Sequence, residues 1–139
     1  MMSRRSSSAV VAGAAAAALA VPALAAAPTV TLDLKGSSVK RELVACGIRH
    51  HYMSFHVGRQ ITMDGSVLPV PLPGWRVKVK VKRCIRGRFR TVWERHTAGR
   101  ANGTFTITYT PRRASAYFAR AYYYGVRPAV RSSKQYFHS

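Results

Sequence analysis

Acidic residues are almost missing from this 139-residue chain, which has four Asp and Glu side chains against 23 Lys and Arg. The four acids, Asp33, Glu42, Asp64 and Glu94, are scattered over different segments and offer no visible acid and base pair for glycoside cleavage. A G-x-S-x-G elbow and a glycine-rich phosphate loop are also lacking. The sequence therefore predicts a non-catalytic protein, with no catalytic residue and no cofactor.

Cysteine is equally scarce, since the chain has only Cys46 and Cys84. Both follow the N-terminal apolar segment, and an even count in an exported protein predicts a disulfide. The bond would close a loop of 38 residues and stabilise the fold by about 4 kcal/mol in the chain-entropy model. Two free buried thiols are the alternative interpretation.

The longest apolar run, residues 9–27, is poor in the large side chains that a membrane anchor needs. It is mostly alanine and is interrupted by Gly13 and Pro22, which favours a cleaved export signal over a membrane span. Arg4 and Arg5 precede the run, and Ala23-Leu24-Ala25 supplies the small-residue cleavage site. We expect residues 1–25 to be a signal peptide cleaved after Ala25, with cleavage after Ala26 or Ala27 as the alternatives. We expect the protein to be secreted or associated with the cell surface.

Removal of residues 1–25 leaves 114 residues, enough for one domain, 26–139. The net charge falls from +19 to +17 because only Arg4 and Arg5 are lost. Such an excess favours contact with polyanions. The alternative explanation of the positive charge is a genome composition that favours arginine codons, since the chain has 17 Arg and 6 Lys.

Helical periodicity is absent from the mature sequence, where short alternating stretches are separated by turn signals. About seven strands are predicted, with Val39 to Ala45 continuing the first strand, Gly65 as a bend, and an edge strand in the tail. A bulge is expected near Val92, because the apolar residues of that strand do not share one register. The predicted strands are Thr29–Lys35, 58–68, 75–82, 88–95, Thr104–Tyr109, 117–123 and 126–138.

Several of these stretches resemble immunoglobulin-like or fibronectin-III-like β-sandwich modules of secreted bacterial proteins. The resemblance rests on Gly-Trp-Arg-Val-Lys-Val-Lys-Val from Gly74, Arg-Gly-Arg-Phe-Arg-Thr-Val from Arg86, Ala-Asn-Gly-Thr-Phe from Ala101, and Ala-Tyr-Phe-Ala-Arg-Ala from Ala116. Its best-matched part is 58–124. It implies an all-β, two-sheet sandwich with a binding, spacing or structural role.

Two positions refine that resemblance. Tyr117 stands where such domains often place a corner tyrosine, whose hydroxyl ties down the neighbouring connection. Ala119 stands where antibody domains have one cysteine of their inter-sheet disulfide. A Cys46–Cys84 disulfide would therefore lie at a different place in the fold.

A basic row is the strongest candidate for a binding surface. In the strand 75–82 the apolar residues alternate with basic ones, which places the two sets on opposite faces. A polyanion could lie along the basic face. The alternative interpretation is that this face is ordinary solvated surface without a ligand. The candidate residues are Arg76, Lys78, Lys80 and Lys82, with Arg88 and Arg90 on the next strand.

Aromatic and histidine residues give weaker signals. Phe118, Tyr122 and Tyr124 could stack on bases or sugar rings, but core packing is the favoured interpretation. His50, His51 and His56 are close in sequence, yet adjacent residues of an extended chain point to opposite faces, so no metal site is predicted.

The sequence thus predicts an exported binding or structural module. A basic protein that binds nucleic acid, an anionic cell-wall polymer or acidic polysaccharide is the alternative, and a membrane-active protein or a hydrolase is less favoured. An unknown protein or an anionic polymer is the expected partner.

Overall fold

Ten β-strands and no helix make up the part of the chain described by the computed structural model, namely residues 13, 27–37 and 39–139. The export signal and its cleavage after Ala25 lie outside the described residues. The strands are β1 (Thr29–Lys35), β2 (Lys40–Ala45), β3 (Ile48–Ser54), β4 (Ile61–Leu68), β5 (Arg76–Ile85), β6 (Arg88–Ala98), β7 (Thr104–Tyr109), β8 (Ala116–Tyr123), β9 (Val130–Arg131) and β10 (Gln135–His138).

The strands form two sheets. The smaller has the order β1-β4-β7, and the larger has the order β2-β3-β10-β8-β5-β6, with β9 paired to β8. Every pair is antiparallel except β3 with β10. The described chain is therefore an all-β, sandwich-like structure.

The hydrophobic core lies between the sheets, because alternate residues of each strand face inward. In β1 the pattern of exposed and buried residues alternates without interruption, and in β5 the three valines are buried. Burial of a valine, leucine or phenylalanine side chain contributes about 1.5–3 kcal/mol relative to exposure. The core includes Val30, Leu32, Leu34, Ile61, Met63, Val67, Trp75, Val77, Val79, Val81, Phe105, Tyr117, Ala119, Ala121, Tyr123 and Phe137.

Local strand predictions are confirmed where the sequence alternates. The predicted bounds of β1 and β7 agree with the structure, and the valines of β5 are buried while its basic residues are not. The bulge is also present, since Val81 pairs with Trp93 and Lys82 pairs with Thr91. Val92 is therefore the extra residue that shifts the register of β6.

Long-range placements differ from the sequence predictions. Residues 40–45 do not continue β1 but form a hairpin with β3, which was not predicted. The tail strand β10 is not at an edge, because it lies between β3 and β8. Gly65 is not a bend either: it sits inside β4, directly opposite Leu32 and Phe105. The β2–β3 hairpin and the short strand β9 raise the number of strands from about seven to ten.

The predicted disulfide is present, with Cα atoms of Cys46 and Cys84 5.8 Å apart. It joins the turn of the β2–β3 hairpin to the end of β5. A disulfide is typical of proteins that fold in an oxidising, extracytoplasmic compartment. Among the residues that the structure describes, no helix could cross a membrane.

Candidate functional site

The basic residues of β5 lie on the outward face of the larger sheet. Because residues directly opposite in a ladder share a face, Lys78, Lys80 and Lys82 share theirs with three residues of β8. Alternate residues along a strand are about 6.5 to 7 Å apart. The lysines thus form a row along one strand, and their ladder partners in β8 are Tyr122, Arg120 and Phe118.

Each lysine of the row lies over an aromatic ring. The Lys78 Nζ is 5.4 Å from the centroid of Tyr124, and the Lys80 Nζ is 5.0 Å from that of Tyr122. The Lys82 Nζ is 5.7 Å from the Phe118 ring. Such contacts contribute about 0.5–1 kcal/mol at exposed sites, so they hold the ammonium groups close to the sheet.

Other cations extend this surface. The Lys134 Nζ lies 4.9 Å from the Phe118 ring on the side of β10. Arg120 donates from Nε to the Ser132 carbonyl at 2.7 Å, and Arg131 of β9 stands opposite Tyr122. We call the surface formed by Lys78, Lys80, Lys82, Lys134, Arg120, Arg131 and the three rings the lysine face.

Two of the rings are accessible on the lysine face. Tyr122 and Tyr124 stack with centroids 6.2 Å apart and ring planes 16° apart, and Tyr124 is 51% exposed. Phe118 is only 4% exposed and packs against Phe89 and Tyr136, with centroids 5.0 and 5.7 Å away. The core-packing interpretation fits Phe118, whereas Tyr124 is free to meet a ligand.

Negative charge is nearly absent from the lysine face. Glu94 stands opposite Lys80 in the β5–β6 ladder, but no ion pair forms between them. The one ion pair of the described chain joins Arg49 to Glu42 at 3.0 Å on the β2–β3 hairpin. The lysine face therefore keeps its positive potential.

The register does not place all predicted basic residues together. Arg76 is exposed at the start of β5 and lies on the same face as the three lysines, because it is two residues before Lys78. Arg88 and Arg90 pair with Ile85 and Arg83, which point away from Lys82. The bulge at Val92 is the physical reason, because one extra residue exchanges the faces of all residues beyond it. Arg88 and Arg90 thus lie on the opposite face of the sheet.

Tyr117 links β8 to the connection that precedes this strand. Its ring is buried and stacks on Phe137 with centroids 4.9 Å apart. Its hydroxyl donates to the Arg113 carbonyl at 2.6 Å. This bond anchors the connection between β7 and β8.

The histidines do not converge. Among the described residues, no group of three or more His, Cys, Asp or Glu side chains could hold a metal ion. His50 packs on Tyr136, with ring centroids 4.4 Å apart. His138 hydrogen-bonds to the Ser54 hydroxyl, and burial, with a smaller effect of Arg41, lowers the pKa of its imidazole.

The structure also reveals pairings that the sequence did not. Asp33 and Asp64 stand directly opposite in the β1–β4 ladder, and the Thr106 hydroxyl donates to Asp64 at 2.7 Å. Lys134 and Arg131 join the lysine face from a tail without clear periodicity. No local signal in the sequence could have found these partners, because strand order alone determines them.

No protein-family model, curated protein or solved structure matches the chain.

Proposed function

We propose that this protein is an exported immunoglobulin-like binding module whose lysine face binds an anionic polymer. The observation that carries the proposal is the row of Lys78, Lys80 and Lys82 held over aromatic rings without an ion-paired acid. Its ligands are nucleic acid, an anionic cell-wall polymer or acidic polysaccharide.

Strand order supports the immunoglobulin-like part of the proposal. If the β2–β3 hairpin is set aside, β1, β4 and β7 form one sheet, and β6, β5, β8 and β10 form the other. Immunoglobulin domains divide their A, B and E strands from their C, F and G strands in the same way. The buried Ala119 and the Tyr117 hydrogen bond fit the late strand of such a domain.

Geometry and charge support the ligand class. A row of cations about 6.5 to 7 Å apart along one strand matches a linear polymer better than a small molecule. Cations held near rings can neutralise anionic groups while the exposed Tyr124 stacks on a base or sugar. The +17 charge of the mature chain adds long-range attraction.

The test compares two double charge reversals with the same change in net charge. Lys78→Glu with Lys80→Glu alters the lysine face, and Lys35→Glu with Lys40→Glu alters exposed lysines elsewhere. Fluorescence anisotropy would measure binding to a single-stranded oligonucleotide, poly(glycerol phosphate) and heparin between 50 and 200 mM salt.

We expect the first pair to weaken binding far more than the second. For the oligonucleotide, each lost contact should reduce the slope of log affinity against log salt by about 0.7. Equal losses for both pairs would show attraction by net charge alone. Absence of binding by the wild-type protein at physiological salt would also reject the proposal.

A further inference from the structure

A second basic surface lies on the opposite side of the larger sheet. It is a cavity of about 440 Å³ where β5 and β6 extend past the end of β7. Its volume is within the usual range for small-molecule sites. We call it the arginine groove, and its main lining residues are Arg83, Arg95, Arg112, Arg113, Trp93, Tyr109 and Thr110.

The bulge at Val92 contributes to the groove. It keeps Trp93 on the inward face opposite Val81, and it also turns Arg90 inward opposite Arg83. Without the extra residue, the side chains before it would alternate in the other sense. The same bulge that removes Arg90 from the lysine face therefore adds positive charge beside the groove.

Like charges are uncompensated at this place. Arg83 and Arg90 are directly opposite in the ladder, an arrangement that destabilises a sheet. Neither they nor the other groove arginines form an ion pair within the described residues. Arg83 also opposes the rise that burial and Tyr117 cause in the pKa of Tyr109. A bound anion would relieve this repulsion.

The floor of the groove is aromatic. Trp93 and Tyr109 pack with centroids 5.1 Å apart, and both are partly buried against the core. Their apolar surface suits one sugar ring, and the Thr110 hydroxyl can hydrogen-bond to it. Arg112 and Arg113 are exposed at the rim of the groove. Each planar guanidinium group can bind an oxyanion there through two parallel hydrogen bonds.

We propose that the arginine groove binds a sugar that carries a phosphate or sulfate ester. Several arginines around one aromatic floor favour a ligand with concentrated negative charge and a compact ring. This site is separate from the lysine face and does not depend on polymer binding there. Phosphorylated and sulfated sugars share the required chemistry.

The test uses the mature, disulfide-bonded protein. Nuclear magnetic resonance would follow the indole N–H of Trp93, assigned with Trp93→Phe, during titration with glucose 6-phosphate, glucosamine 6-sulfate, glucuronate and glucose. We expect a saturable shift with either ester and none with glucose. Equal affinity for glucuronate would reject the ester assignment.

Matched variants separate this site from the lysine face. Arg112→Gln with Arg113→Gln should weaken ester binding by about tenfold or more, because charge-assisted hydrogen bonds are lost. Lys78→Gln with Lys80→Gln should change it by less than about twofold, since these lysines lie on the other face. Equal losses for the two pairs, or an unshifted Trp93 signal, would overturn the proposal.

Discussion

Gly65→Ala tests how closely β4 approaches its neighbours. A Cβ atom at this position would lie 2.2 Å from Phe105 Cζ and 2.3 Å from the Thr31 carbonyl oxygen. Both distances are more than 1 Å below the 3.4 Å at which ordinary contact begins. Phe105 is fully buried, and the Thr31 oxygen belongs to the backbone of β1, so neither can move away freely.

The expected loss of stability follows from these two obstacles. An extra methyl group in a packed core costs about 1–3 kcal/mol, and two close contacts favour the upper end. The lower backbone entropy of unfolded alanine offsets about 0.4–1 kcal/mol. We therefore expect a net loss of about 2 kcal/mol, which lowers Tm by roughly 8 °C at about 4 °C per kcal/mol.

Thermal and urea unfolding of wild type, Gly65→Ala, Phe105→Leu and the double variant would measure this effect. Because the smaller leucine removes one obstacle, the double variant should lose about 1 kcal/mol less than the sum of the single losses. A Gly65→Ala protein as stable as wild type would refute the close approach. Additive losses would show that the Phe105 ring does not lie over Gly65.

Two further predictions concern the Cys46–Cys84 disulfide and the hydrogen bond of Tyr117. Replacing both Cys46 and Cys84 with alanine should lower the free energy of unfolding, measured with urea, by about 4 kcal/mol. An unchanged urea midpoint would mean that the disulfide does not constrain the unfolded chain. Tyr117→Phe should cost about 0.5–1.5 kcal/mol, because the part-buried hydrogen bond from the Tyr117 hydroxyl to the Arg113 carbonyl is lost. Hydrogen exchange should also increase in the β7–β8 connection. An unchanged exchange rate there would argue against the role of Tyr117 as an anchor.

Local patterns in the sequence determined the two faces of β5, the bulge in β6 and the disulfide. The alternation of β5 predicted a buried row of valines and a basic row opposite, since successive side chains of a strand point to opposite faces. The conflict of registers near Val92 predicted the bulge. The disulfide followed from the even number of cysteines, because only one intramolecular pairing was available.

Only the tertiary structure decided which strands meet. Lys134 reaches Phe118 and Asp33 faces Asp64 through pairings between distant segments, and sequence spacing does not encode such register. Arg88 and Arg90 lie on the face opposite to the predicted one, because a single-residue bulge inverts the alternation of side chains beyond it. The chain alone thus defined basic strands, whereas long-range packing divided their charge between the lysine face and the arginine groove.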